Sequence, residues 1–175
     1  MSDGLLIVCA QSNFAAQLLG MISAAVAGTH LTASSGAEAR RMAGMSEYAG
    51  ILITGKLPDE SGLDLALDLS TNGCPGVMII TERDALLDAH EVLDGTGVTI
   101  LARPLTKDAL VHSLQLVIRV YEGGGTLDKA KLMLMQMKNY NEPQAHRYIQ
   151  KLAMDKRLPR DVAAQLIIRA LERQG

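Results

Sequence analysis

The sequence contains few aromatic residues. They make up 3 % of its 175 residues, with no tryptophan, one phenylalanine and four tyrosines. Any core must therefore be built from aliphatic side chains and methionine, of which there are nine. Because 48 % of the residues are hydrophobic and 21 % are charged, the chain can bury a sizeable core, which excludes wholesale disorder. This length fits one domain, or one domain with a small addition.

Cysteines and long apolar runs are scarce as well. Cys9 and Cys74 do not have the spacing of a disulfide framework, which predicts a reducing compartment. No stretch approaches the roughly 18 uninterrupted apolar residues of a transmembrane helix. The short apolar run near the N-terminus lacks the preceding positive charges of a signal peptide. We therefore expect a cytoplasmic protein without a membrane partner.

Charge is distributed unevenly along the chain. Residues 1–125 contain seven Lys and Arg against fourteen Asp and Glu, whereas residues 126–175 contain ten against five. The change coincides with Gly123, Gly124 and Gly125, and consecutive glycines propagate a helix poorly. The sequence therefore predicts two units, 1–121 and 127–175, joined by a glycine linker at 122–126. The positive unit is expected to face an anionic partner.

The first unit alternates short apolar runs with helical patterns. The runs, rich in Ile, Val and Leu, are 5–9, 30–33, 50–54, 77–81 and 98–102. The helical patterns are 13–27, 37–45, 61–72, 84–93 and 107–121. Strands that alternate with helices are typical of a parallel sheet covered on both faces. The sequence predicts an α/β fold with five parallel strands.

Three segments of this unit resemble the receiver domain of response regulators, over about residues 3 to 121. They are "LITGKLPDESGLDLA", "GVMIITERD" and "VTILARPLTKDAL". The resemblance implies a flavodoxin-like fold. In that family an acidic pair after the first strand binds magnesium, and an aspartate at the end of the third strand accepts phosphate. A threonine that ends the fourth strand and a lysine after the fifth strand complete the site.

Most of those positions differ in this sequence. The acidic pair corresponds to Cys9 and Ala10, the phosphoacceptor to Thr54 and the lysine to Arg103, while Thr81 is retained. Cysteine and alanine offer no carboxylate oxygen for magnesium, and threonine cannot form an acyl phosphate. We expect a degenerate phosphorylation site, with no catalytic residue, metal or cofactor, on a fold kept as a docking platform for a protein partner. Two alternatives stay open: anion binding at Arg103, and Thr54 as a hydroxyl acceptor for a kinase.

The second unit has the pattern of three short helices. The first covers about 127–138, the second follows Asn141 as N-cap and runs to about 154, and the third begins near Pro159. About fifty residues in three helices form a small core that is marginal alone. The prediction is a small three-helix C-terminal domain.

This unit resembles the ANTAR domain, the RNA-binding module of transcription antitermination regulators, from 126 to about 171. The matching parts are "AK" at 130–131, Ala145, "LAMD" at 152–155 and "DVA" at 161–163. Leu132 replaces the glycine that usually follows Ala-Lys. The coiled coil that usually joins receiver and ANTAR and forms the dimer is absent here, so a homodimer must use another surface or not form. We also expect the positive unit to be mobile relative to the first.

The resemblance implies binding to hairpin loops of a leader transcript, which prevents a terminator hairpin. Basic side chains neutralise phosphates, and tyrosine stacks unpaired bases. The candidates are Lys131, Lys138, Tyr140, Arg147, Lys151, Lys156, Arg157 and Arg160, with Tyr148 either a second stacking residue or part of the core. The alternative function is a protein-interaction adaptor that keeps both folds without RNA binding. An enzyme is not expected.

Overall fold

The computed structural model describes residues 4–72, 74, 76–121 and 125–175. A parallel sheet of five strands forms the first unit, in the order β2-β1-β3-β4-β5. This is the flavodoxin-like order, so the predicted α/β fold is confirmed. The strands are β1 (Leu5–Val8), β2 (Leu31–Ala33), β3 (Gly50–Thr54), β4 (Val77–Thr81) and β5 (Thr99–Ala102).

Eight α-helices complete the described chain, five beside the sheet and three after it. They are α1 (Ser12–Ile22), α2 (Gly36–Met45), α3 (Gly62–Thr71), α4 (Leu86–Val92), α5 (Lys107–Tyr121), α6 (Thr126–Lys138), α7 (Glu142–Lys156) and α8 (Arg160–Glu172). A single 3-10 turn, Arg83–Ala85, precedes α4. The predicted helices 61–72 and 107–121 agree with α3 and α5 to within a residue.

Two predicted boundaries differ from the structure around His30. Helix α1 ends at Ile22 instead of residue 27, and β2 begins at Leu31 instead of His30. The imidazole explains the later start of the strand, because its Nδ1 accepts a hydrogen bond from the Leu5 amide at 3.2 Å. Its Nε2 lies 3.0 Å from the carbonyl oxygen of Val26. His30 therefore ties the α1–β2 connection to the beginning of β1.

Alternate residues of each strand face the two sides of the sheet. In β1, Leu5 and Ile7 contact an apolar cluster that includes α1 and α5. Leu6 and Val8 contact a second cluster on the opposite face, which includes α2 and α3. The largest fully buried side chains are Leu, Ile and Met. The aliphatic, methionine-containing core expected from the scarcity of aromatics is confirmed.

The three C-terminal helices begin and end at specific capping residues. Asn141 and Gln144 form a reciprocal capping box at the start of α7, with hydrogen bonds of 2.8 and 2.9 Å. The predicted N-cap at Asn141 is therefore confirmed. Asn139 and Arg157 end α6 and α7 in the left-handed conformation, with φ of 58° and 53°. These turns fold the helices back on one another, so that Ala130, Ala145 and Ala163 are fully buried.

The positive unit packs against the sheet unit, which differs from the mobility expected from the sequence. Leu114 of α5 and Leu134 of α6 belong to one apolar cluster. The Gln136 side-chain amide donates to the carbonyl oxygen of Gly97 at 2.5 Å. Arg119 Nε lies 3.4 Å from a carboxylate oxygen of Asp128. Because α6 has an apolar side left over after packing on α7 and α8, it docks on α5. Linker residues 122–124 lie outside the described residues.

Candidate functional site

The carboxyl edge of the sheet brings together the residues that correspond to a phosphorylation site. Thr54 and Thr81 are the last residues of β3 and β4, and Cys9 follows β1. All three are buried, with exposed fractions of 5 %, 6 % and 5 %. Ala10 is exposed beside them. Arg103 follows β5 and is the fifth of the predicted residues. All five therefore share one edge of the fold.

The polar atoms of the buried three contact backbone carbonyl groups. Thr54 Oγ1 donates to the carbonyl oxygen of Val8 at 3.3 Å. Cys9 Sγ lies 3.2 Å from the carbonyl oxygen of Gln11, and Thr81 Oγ1 lies 3.4 Å from that of Glu82. By the resemblance described above, the Thr54 hydroxyl and the Cys9 thiol stand at positions that correspond to carboxylates in the receiver family, whereas Thr81 corresponds to a threonine.

The guanidinium of Arg103 is held at the side of this edge. Its central carbon lies 4.1 Å from the centroid of the Phe14 ring. Its Nε lies 3.5 Å from a carboxylate oxygen of Glu82. A cation over an aromatic face and beside a carboxylate is already partly compensated. Arg103 remains 38 % exposed, so the alternative of anion binding there stays a prediction.

The loop between β3 and α3 is fastened to α2. Both carboxylate oxygens of Asp59 accept hydrogen bonds of 2.9 Å from the Gly36 and Ala37 amides at the start of that helix. These bonds lower the pKa of Asp59. Glu60 pairs with Arg40, whose pKa is raised by that bond and by Asp68 at 2.6 Å. The sequence did not reveal these contacts, because the partners are far apart in the chain.

Five exposed basic residues lie along α7 and at the start of α8. Arg147 and Lys151 are one turn apart on α7, so they share a face, and both are exposed. Lys156, Arg157 and Arg160 lie at the end of α7 and the start of α8, and are exposed too. Within the described part of the chain, none of the five forms a salt bridge. We call these five residues the basic cluster.

Lys131 and Lys138 differ from the basic cluster in their contacts. The Lys131 side chain is only 11 % exposed, and its Nζ lies 3.1 Å from a carboxylate oxygen of Glu142. This ion pair joins α6 to the start of α7 and largely covers Lys131, whose role as a phosphate ligand stays a prediction. Lys138 is exposed, and its Nζ donates to the side-chain oxygen of Gln174 at 3.1 Å.

Tyr140 and Tyr148 lie side by side near the basic cluster. Their ring centroids are 5.7 Å apart and the ring planes are tilted by 57°. Tyr148 is 44 % exposed, so it is not a core residue. Tyr140 is half-buried against the apolar cluster shared by the two units. Both rings retain surface that a ligand could contact.

Solved structures define the class of the first unit. The receiver domain of a response regulator from Clostridium thermocellum is 19 % identical, with a TM-score of 0.60, and covers 70 % of this chain and 98 % of its own. The receiver domain of an HD domain-containing protein from Pseudomonas fluorescens Pf-5 is 15 % identical, with a TM-score of 0.63, over 70 % and 99 %. The fold of the first unit is that of a receiver domain.

The C-terminal helices match a known domain. Residues 122–168 match the ANTAR domain. Transcriptional regulatory protein PdtaR of Mycobacterium tuberculosis, in strains CDC 1551 and H37Rv, is 21 % identical over 159 residues, which are 79 % of this chain and 76 % of that protein. The chain therefore combines a receiver fold with a following region that matches the ANTAR domain, and both resemblances are confirmed. None of its described helices is long and apolar enough to cross a membrane.

Proposed function

We propose that this protein is an RNA-binding regulator of transcription antitermination whose receiver unit does not accept phosphate. The observation that supports RNA binding is the basic cluster, five exposed cations within the ANTAR region. Cations that have no carboxylate partner in the described structure remain available to neutralise phosphates. The partner is a structured leader RNA, bound through its hairpin loops.

In this proposal the receiver unit keeps the fold of a receiver domain but neither binds magnesium nor accepts phosphate. Cys9, Ala10 and Thr54 offer no carboxylate to hold magnesium or to form an acyl phosphate. Arg103 already contacts Phe14 and Glu82. The regulator therefore responds to an input other than phosphorylation of the sheet edge, or it binds RNA constitutively. It performs no catalysis of its own.

A second candidate function has its own support in the same helices. Several large apolar side chains of α7 and α8 are exposed, Met154 by 71 % and Val162 and Leu166 by 39 % each. Val162 and Leu166 are one turn apart on α8 and share a face. Such a face suits a protein partner or a second copy of the chain. An adaptor or a homodimer could use it without RNA.

Reversal of two charges separates these functions. The hairpin is first selected from a random hairpin library with the intact chain. Arg147→Glu with Lys151→Glu should then weaken binding without unfolding, because both side chains are exposed. For every phosphate that is no longer neutralised, the log–log salt dependence should become flatter by roughly 0.7 to 0.9.

A matched control changes the net charge by the same amount elsewhere. Arg41→Glu with Lys56→Glu reverses two exposed cations of the receiver unit and should leave the affinity nearly unchanged. If the Arg147 and Lys151 variant stays folded and binds as tightly as this control does, the adaptor function replaces the RNA-binding one.

A further inference from the structure

A cavity lies where the receiver unit meets the turn between α6 and α7. Its volume is about 580 Å³, within the range of roughly 300–1,000 Å³ typical of small-molecule sites. One wall is formed by β5, the connection after it and the first turns of α5, including Leu101, Leu105 and Ala109. The other wall includes Met135 and Tyr140 of the ANTAR region. Neither unit forms this cavity alone.

The interior and the rim of the cavity differ in chemistry. Met135 is buried and Leu101, Leu105 and Tyr140 are half-buried, so the floor is apolar with one aromatic ring. Asp108, His112, Asn139 and Asn141 are lining residues with hydrogen-bonding groups at the rim. An apolar floor with an aromatic ring and a hydrogen-bonding rim suits a flat heterocycle that carries polar edge groups.

One cation contacts this rim, and a second belongs to a neighbouring residue of the chain. Arg147 Nε donates to the carbonyl oxygen of Pro143, a lining residue, at 3.3 Å. Lys138 directly precedes the lining residue Asn139, but its Nζ donates to the side-chain oxygen of Gln174. Two carboxylates, Asp108 and Glu142, also line the cavity. Glu142 is already paired with Lys131, whose Nζ lies 3.1 Å away, so Asp108 is the lining carboxylate that remains to offset the charge of Arg147. Positive groups outside and a neutral, aromatic interior match a nucleotide whose phosphate stays outside.

We infer that this cavity receives one unpaired base of the RNA hairpin loop, stacked on Tyr140, and that the receiver unit supplies half of the site. The inference rests on the proposed RNA-binding function and deepens it. The phosphate beside the base lies near Arg147, and Asn139, Asn141 and His112 offer hydrogen bonds to the edge of the base. The receiver fold then contributes directly to RNA recognition.

The main test fills the cavity from the receiver side. Ala109→Phe places a ring at the exposed start of α5, and Ala16→Phe adds the same ring at an exposed position of α1 that does not line the cavity. Both variants are checked by circular dichroism and melting. With the intact chain and the selected hairpin, Ala109→Phe should weaken binding about 5- to 150-fold, the range expected when one base stack is removed. Ala16→Phe should bind as the parent does.

Abasic nucleotides placed singly at each loop position form the second arm. One of them should weaken binding to the parent by a similar factor, yet cause no further weakening in Ala109→Phe, because the two changes remove the same interaction. If Ala109→Phe binds the intact hairpin as Ala16→Phe does, the cavity inference is overturned while RNA binding stands. If the parent binds no hairpin at all, the proposed function itself has failed.

A third measurement needs no variant and covers the case in which Ala109→Phe does not fold. The loop base identified by the abasic scan is replaced by 2-aminopurine. On binding to the parent, its fluorescence should be quenched by stacking and should become shielded from acrylamide. A fluorophore that stays fully accessible to acrylamide in the complex contradicts insertion into the cavity.

Discussion

Polar side chains differ in burial and in partners between the sheet edge and the basic cluster. At the sheet edge, Thr54 is buried and donates its hydroxyl hydrogen to a backbone carbonyl of the neighbouring strand. In the basic cluster, Arg147 and Lys151 are exposed and have no carboxylate partner among the described residues. Groups satisfied inside the protein contribute to the fold, whereas exposed cations remain available to a ligand. This difference supports the proposal that the basic cluster contacts the phosphates of the RNA.

The largest expected effect concerns the contact between the receiver unit, which contains the sheet edge, and the ANTAR region, which contains the basic cluster. Leu134→Ala removes a side chain that is 1 % exposed in the apolar cluster shared by both units. Such truncations cost about 2–5 kcal/mol. Because the cluster spans both units, urea unfolding followed by circular dichroism should show one transition at a lower midpoint. Leu166→Ala, at a side chain 39 % exposed, is the control and should change stability much less.

Two separate transitions in the parent would contradict this picture. They would mean that the receiver and ANTAR units unfold independently and that the linker controls their relation. The sheet edge and the basic cluster would then belong to two autonomous domains. The cavity between the receiver unit and the ANTAR region would no longer be a stable feature.

A smaller effect is expected at the aromatic ring beside the basic cluster. Tyr140→Ala should weaken binding to the selected hairpin by about 1–3 kcal/mol with little change in the salt slope, because stacking releases no counterions. Tyr140→Phe keeps the ring and should retain most of the affinity, which separates stacking from loss of the hydroxyl. Filter binding at three salt concentrations measures both quantities. A flatter salt slope for Tyr140→Ala would show that the substitution also displaces basic side chains from the RNA phosphates.

The smallest effect, none, is predicted at the sheet edge. Acetyl phosphate or beryllofluoride with magnesium should neither modify nor stabilise the protein, because in the proposed function Cys9, Ala10 and Thr54 stand at the carboxylate positions and supply no carboxylate oxygen. Intact mass and melting temperature are the measurements. An acid-labile adduct, or a magnesium-dependent rise in melting temperature, would show that the edge still accepts phosphate.

Local patterns in the sequence were sufficient for most of the fold. The strands at 50–54 and 77–81 were predicted correctly, because continuous Ile, Leu and Val are typical of strands buried on both faces. Asn141 was recognised because a capping residue acts on amides three residues away. These features depend on neighbours in the chain, so a single sequence contains the information.

Contacts between distant residues were not predictable in the same way. In the sequence, Lys131 resembles a free surface charge. In the structure, its Nζ lies 3.1 Å from a carboxylate oxygen of Glu142, at the start of the next helix. Phe14 gives no sign in the sequence that it will contact Arg103. The docking of α6 on α5 was missed because the glycines suggested independence. Charge spacing on one helix was predictable, and the pairing of charges between elements was not.

The salt dependence of hairpin binding by the intact chain tests the central claim most directly. If the five residues of the basic cluster each neutralise one phosphate, the slope of log affinity against log salt concentration should lie at roughly −3.5 to −4.5. The measurement needs the parent protein, one selected hairpin and a scrambled RNA of equal length as reference. A slope near zero, or equal and weak binding of both RNAs at every salt concentration, would contradict the account.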